Sequence, residues 1–186
     1  MSLLRWLPTF LAFPTGGFLA IQIFGSADDP VTAGLGGLFV GVIIGLAQWF
    51  ALRSAGFGPG WAVGTALGAA VGSAIAVGLT GDSTTVPALV TMGLITGAFV
   101  GASQATQLGR GRVAAFVWTG VVGLSWGIGW LVTANVIVDA ERGFHMFGSS
   151  GALAATVVTG LVLRVLLRDA TPTVHTPAPV PIGAHS

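Results

Sequence analysis

Six stretches of this chain long enough to span a bilayer contain no charged residue: 6–27, 30–52, 54–81, 83–109, 113–138 and 143–163. The shortest holds 21 residues and the longest 28. A helix of about 20 apolar residues crosses the hydrocarbon core of a bilayer. A soluble fold of this length would have to cover its surface with charge, yet 7% of the residues are charged, against about 25% in an average soluble domain. The mean hydropathy of +0.90 points the same way. A disordered chain would be polar and charge-rich, and the 30 glycines follow no collagen period. Transmembrane strands would alternate polar and apolar residues over about 10 positions, and no such alternation is present. Helices satisfy their own backbone hydrogen bonds in lipid. The sequence therefore predicts an all-α integral membrane bundle of six helices over residues 1–168, built as three hairpins at 6–53, 61–110 and 113–168. Residues 169–186 hold Pro172, Pro177, Pro179 and Pro181 and read as an extended or disordered tail.

The charges between the stretches sort by sign. Arg5, Arg53, Arg110, Arg112, Arg164 and Arg168 fall at one set of connections; Asp28, Asp29, Asp82, Asp139 and Glu141 fall at the other. Arg142 and Asp169 are the exceptions. Arginine is retained on the cytoplasmic side during insertion, which predicts cytoplasmic N- and C-termini. Gly25-Ser26-Ala27 after the first stretch has the small residues of a signal-peptide cleavage site. The apolar run before it is longer than the usual h-region of about 7–15 residues, so a retained first helix is expected. Trp6, Trp49 and Trp61 fall near the cytoplasmic boundary, where an aromatic belt is expected.

A pattern recurs about every 55 residues. Gly37, Gly41, Gly45 and Gln48 in the second stretch are matched by Gly93, Gly97, Gly101 and Gln104 in the fourth, and by Gly148, Ala152, Thr156 and Thr159 in the sixth. A weaker companion runs through the odd stretches: Trp61, Gly64, Gly68 and Gly72 align with Phe116, Thr119, Gly123 and Gly127, and with Trp6, Thr9, Phe13 and Gly17. Self-similarity of this kind indicates a repeated unit, here a helical hairpin in parallel orientation. Small residues four apart share one helix face. In lipid, where burial supplies little drive, such faces let backbones approach and pack. The even-numbered stripes are expected to face the bundle interior.

The segment G-x3-G-x3-G-x2-Q-W-F-A-L-R at 37–53 resembles a group of uncharacterised bacterial multi-pass membrane proteins with glycine-rich hairpins ending in Q-W-x-x-L-R. The second hairpin keeps Gln104 without the Trp, and the third keeps only the small-residue spacing. The resemblance implies an architecture and a bacterial cytoplasmic membrane; no activity attaches to the group.

The chain has no Cys, no Tyr and no Lys. Thiolate metal sites, a Cys nucleophile and a P-loop lysine are therefore excluded. Seven scattered arginines are not a nucleic-acid footprint. Gly148-Ser149-Ser150-Gly151 matches the G-x-S-G nucleophile motif of rhomboid proteases, but His145 stands only five residues away, where no separate helix can present it as a base. Asp139, Glu141 and His145 lack the spacing of a rigid metal motif. Gly56-Phe57-Gly58-Pro59-Gly60 follows no strand and reads as a turn, not a phosphate cradle. No Asp, Glu or His lies deep in a span, which argues against a proton relay or an ion-coupled pump. Neither a metal nor a cofactor is expected.

Three functional readings follow. The first is a non-catalytic packing or assembly subunit, whose partners are membrane lipids and other membrane protein subunits. The second is a passive channel for a small neutral solute, with Gln48, Gln104 and Thr159 at its inner mouth. The third is a binder of a hydrophobic cofactor or lipid beside Trp126 and Trp130. A centre closed by glycine contacts, a continuous polar path and a dry cleft at Trp126 would separate the three.

Overall fold

Helices form over the charge-poor stretches, and three of them end at Gly25, Gly81 and Gly109. The computed structural model describes residues 1–136 and 147–168. Asp139, Glu141, Arg142, His145 and the proline-rich tail lie outside the described residues. Among the described residues, six helices are long and apolar enough to cross a membrane: α1 (Leu3–Phe24), α2 (Pro30–Leu52), α3 (Gly60–Thr80), α4 (Val86–Leu108), α5 (Gly111–Val136) and α6 (Ser149–Arg168). No strand occurs among the described residues.

α1 tightens to a 3-10 stretch at Leu7–Leu11. Pro8 lies within this stretch and Pro14 just after it, and neither has an N–H to bond a preceding carbonyl. Asp29 starts α2: its carboxylate accepts from the Val31 and Thr32 N–H groups at 2.8 and 3.1 Å and from the Thr32 hydroxyl at 2.6 Å. Pro30 takes the first helical position, where a missing N–H costs nothing. The chain leaves α1 and α3 through Gly25 (φ 77°) and Gly81 (φ 65°), a backbone region open to glycine.

Glycine registers define the packing. A Cβ on Gly41 would lie 2.7 Å from Ala66 Cα, and one on Gly45 2.8 Å from Ala62 Cα. Rising numbers on α2 meet falling numbers on α3, so the two are antiparallel. Gly68 and Gly72 of α3 approach Val100 Cα and Thr96 Cα in the same way, both at 2.7 Å. Gly97 and Gly101 of α4 approach the α5 backbone at Val122 O, 2.8 Å, and Thr119 Cα, 2.9 Å. Each helix packs on its neighbours in sequence, and α6 closes the ring on α1. Arg5 Nη1 donates to Ser54 Oγ at 3.0 Å, bringing the start of α1 to the end of α2.

The outer surface is apolar: Leu4, Val31, Leu79, Val113, Phe116 and Leu124, among others, are exposed. A soluble monomer rarely exposes apolar patches beyond a few hundred Å². Six spanning-length helices with this surface suggest a membrane protein.

Gly148 is buried at the start of α6: its carbonyl accepts from the Ala152 N–H at 2.9 Å, and its N–H donates to Thr133 Oγ1 at 3.2 Å. A close backbone approach between α5 and α6 is made by Gly129 and Gly151. One expectation needs correction here. The alignment of Trp61 with Phe116 is displaced. Phe116 is 78% exposed, whereas Trp118 is 1% exposed and faces the interior.

Candidate functional site

The bundle interior divides into two halves of different chemistry. In the half nearer the arginines, Gln48 and Gln104 meet: Gln104 Nε2 donates to Gln48 Oε1 at 3.0 Å and to Thr65 Oγ1 at 2.8 Å. Indole N–H groups complete the cluster. Trp61 Nε1 donates to Gln48 Oε1 at 3.0 Å, and Trp118 Nε1 to Gln104 Oε1 at 3.1 Å. Trp6 Nε1 donates to the Thr156 carbonyl at 2.9 Å, and its ring lies against Gly160. Side-chain amides four or more turns from a helix start would be costly in lipid without partners; here Gln104 meets both donors and acceptors from neighbouring helices, and the Gln48 carbonyl meets two donors.

Trp6 and Trp61 are 0% exposed, so they are not part of an interfacial belt. Their indoles are drawn inward because an N–H acceptor waits there, a backbone carbonyl for Trp6 and Gln48 for Trp61. Trp49 is half-buried and donates to the Phe57 carbonyl at 3.2 Å. Thr159 shares a small space with Gln48 and Gln104, while its hydroxyl donates to the Ala155 carbonyl at 2.8 Å. That space measures about 10 Å³, too small for any solute larger than water.

The other half holds a cavity of about 200 Å³. Its base is aromatic: Phe13 meets Trp126 edge-on at 5.3 Å, Phe147 lies 5.4 Å from Phe13, and Trp130 stands edge-on to Phe147 at 5.2 Å. Its walls come from α1 to α5 and include Ala20, Val40, Ala76 and Leu89, with the hydroxyls of Ser73 and Thr96. Exposed residues Gly25, Ala27 and Asp82 line its mouth, at the acidic end of the bundle. Gly17, Gly36 and Gly37 line it, and a Cβ on Gly36 would meet nothing within 4 Å, so a larger side chain has room there.

The remaining stripe glycines pack helix on helix. Gly37, Gly41 and Gly45 face α3; Gly64, Gly68 and Gly72 face α4; Gly93, Gly97 and Gly101 face α5; Gly123 and Gly127 face α4. Ser149 and Ser150 open the first turn of α6; His145, which the sequence argued against as a base for Ser150, lies outside the described residues, as does the cluster of Asp139 and Glu141. Trp118 and Thr65 were not singled out from the sequence. The signal for Trp118 was its 57-residue distance from Trp61, two more than the period used to align the odd helices.

No protein-family model matches the chain, and no curated protein or solved structure matches it.

Proposed function

We propose that this is a non-catalytic protein of the bacterial cytoplasmic membrane that holds an apolar molecule in the cavity above Phe13 and Trp126. The arginine end faces the cytoplasm, and the cavity mouth opens toward the opposite side. The observation that carries the reading is a cavity of about 200 Å³, walled mainly by apolar side chains and floored by four aromatic rings. An apolar cavity of about 150 Å³ is enough to hold benzene. The occupant is therefore a compact or branched hydrocarbon segment, such as part of a lipid chain, with at most a small polar group for Ser73 or Thr96.

The other readings have less support. Assembly through glycine faces needs those faces free, and the stripes of α2 and α4 are occupied by helices of the same chain. A solute path needs a continuous opening, and Trp6, Trp61 and Trp118 fill the arginine-end half. A threefold hairpin repeat is supported by one bond that recurs: the indoles of α3 and α5 donate to a glutamine on the preceding helix, and the indole of α1 donates to α6 across the closure.

The test uses two glycines at which a Cβ meets nothing within 4 Å. Gly36 lines the cavity, whereas Gly120 is exposed on the outer face. Wild type and Gly120→Leu, gently purified from native membranes, should carry a stoichiometric apolar molecule detectable by native mass spectrometry. Gly36→Leu should carry less. Equal loading of all three, or an absence of ligand from wild type, overturns the reading.

A further inference from the structure

The hydrogen-bond inventory around Gln48 leaves one group without a protein partner. An indole N–H only donates, so the Gln48 atom that meets Trp61 must be the carbonyl oxygen. The same argument from Trp118 orients Gln104. Gln48 Oε1 then accepts from both Trp61 and Gln104, and both of its lone pairs are engaged. The two protons of Gln104 Nε2 go to Gln48 and Thr65. The Gln48 Nε2 protons have no acceptor among the described residues, although Gln48 is 7% exposed.

The space of about 10 Å³ beside this amide is bordered by Gln104 and Thr159, and by the apolar Val122 and Ala155. Such a volume is about one water sphere. Gln104 Oε1 keeps one lone pair after Trp118, and Thr159 Oγ1 keeps its own after donating to Ala155. Phe13 and Trp126 border both this space and the larger cavity, so they partition a polar site from an apolar one.

We infer that this space is a binding site for a single buried water, which accepts from Gln48 Nε2 and donates to Gln104 Oε1 and Thr159 Oγ1. The water joins α2, α4 and α6 at the bundle centre. An ion has no countercharge there, since no ionisable residue borders the space. This inference does not depend on what fills the larger cavity.

The test is nuclear magnetic resonance of the full chain, labelled with nitrogen-15 in its glutamine side chains and held in lipid nanodiscs. The Gln48 amide protons should show cross-relaxation to a long-lived water. Ala155→Ser places a hydroxyl in the space; the water signal at Gln48 should disappear while the melting temperature is kept. Thr159→Val removes one acceptor and keeps the side-chain shape; the water should remain but exchange faster. An absence of water contact at Gln48 in wild type, or an unchanged contact in Ala155→Ser, overturns the site.

Discussion

Gln104 is the residue on which most of the interior polar chemistry converges. Its amide serves Gln48, Thr65 and Trp118 at once, and it is 2% exposed. Gln104→Leu leaves the Trp118 N–H buried without an acceptor, which costs about 1–3 kcal/mol. Unfolding in mixed detergent should show that loss, while Gln22→Leu, at an exposed site on α1, should be neutral. Asp29 is a surface counterpart. The Thr32 hydroxyl, then the Thr32 and Val31 N–H groups, hold its carboxyl below the usual carboxylate range. A lowered folded pKa means that its contribution is complete above the unfolded value of about 4 and is lost as pH falls through the lower folded value. Asp29→Asn keeps an acceptor at the cap but does not titrate. The difference in melting temperature between wild type and Asp29→Asn should shrink on acidification, and a constant difference would show that the cap does not titrate with folding. At this scale the sequence indicated that Gln48 and Gln104 mattered. It did not show what they touch, because their partners are 13 to 56 positions away.

At the scale of elements, the glycines divide by what lies opposite them. A methyl on Gly41 meets Ala66 Cα at 2.7 Å, and backbone cannot turn aside as a side chain can. Overpacking of this kind costs about 1–3 kcal/mol, more than the roughly 1 kcal/mol that Ala gains over Gly in a helix. Gly41→Ala should therefore lower thermal stability, and Gly36→Ala, with open space around its Cβ, should raise it slightly. Equal effects in the two variants would remove the close-packing account of α2. The four-residue spacing made the stripes legible, since spacing along one helix is a local property. Which neighbour each stripe meets was not legible. The approach of Gly129 to Gly151 between α5 and α6 was missed for the same reason.

For the whole molecule, the closed ring of helices leaves the two ends unlike. Arg5 reaches Ser54 at one end, while Asp82 stands at the cavity mouth at the other. The absence of native cysteine allows a clean test of orientation. Ala55→Cys and Thr84→Cys, both at exposed positions, should be labelled by an impermeant maleimide from opposite sides of sealed vesicles, with Thr84→Cys reached from outside the cell. Labelling of both from one side would overturn the proposed topology. The sequence alone determined the six helices, their limits to within about two turns, and the sorting of charge between their ends. Those properties depend on apolar run length and on charges at the breaks, both local along the chain. Only the tertiary structure decided that three tryptophans turn inward, that two glutamines 56 positions apart share a bond, and that a cavity of about 200 Å³ stays open in the half away from the arginines. These depend on which helices become neighbours, and a uniformly apolar surface carries no mark of which face meets which.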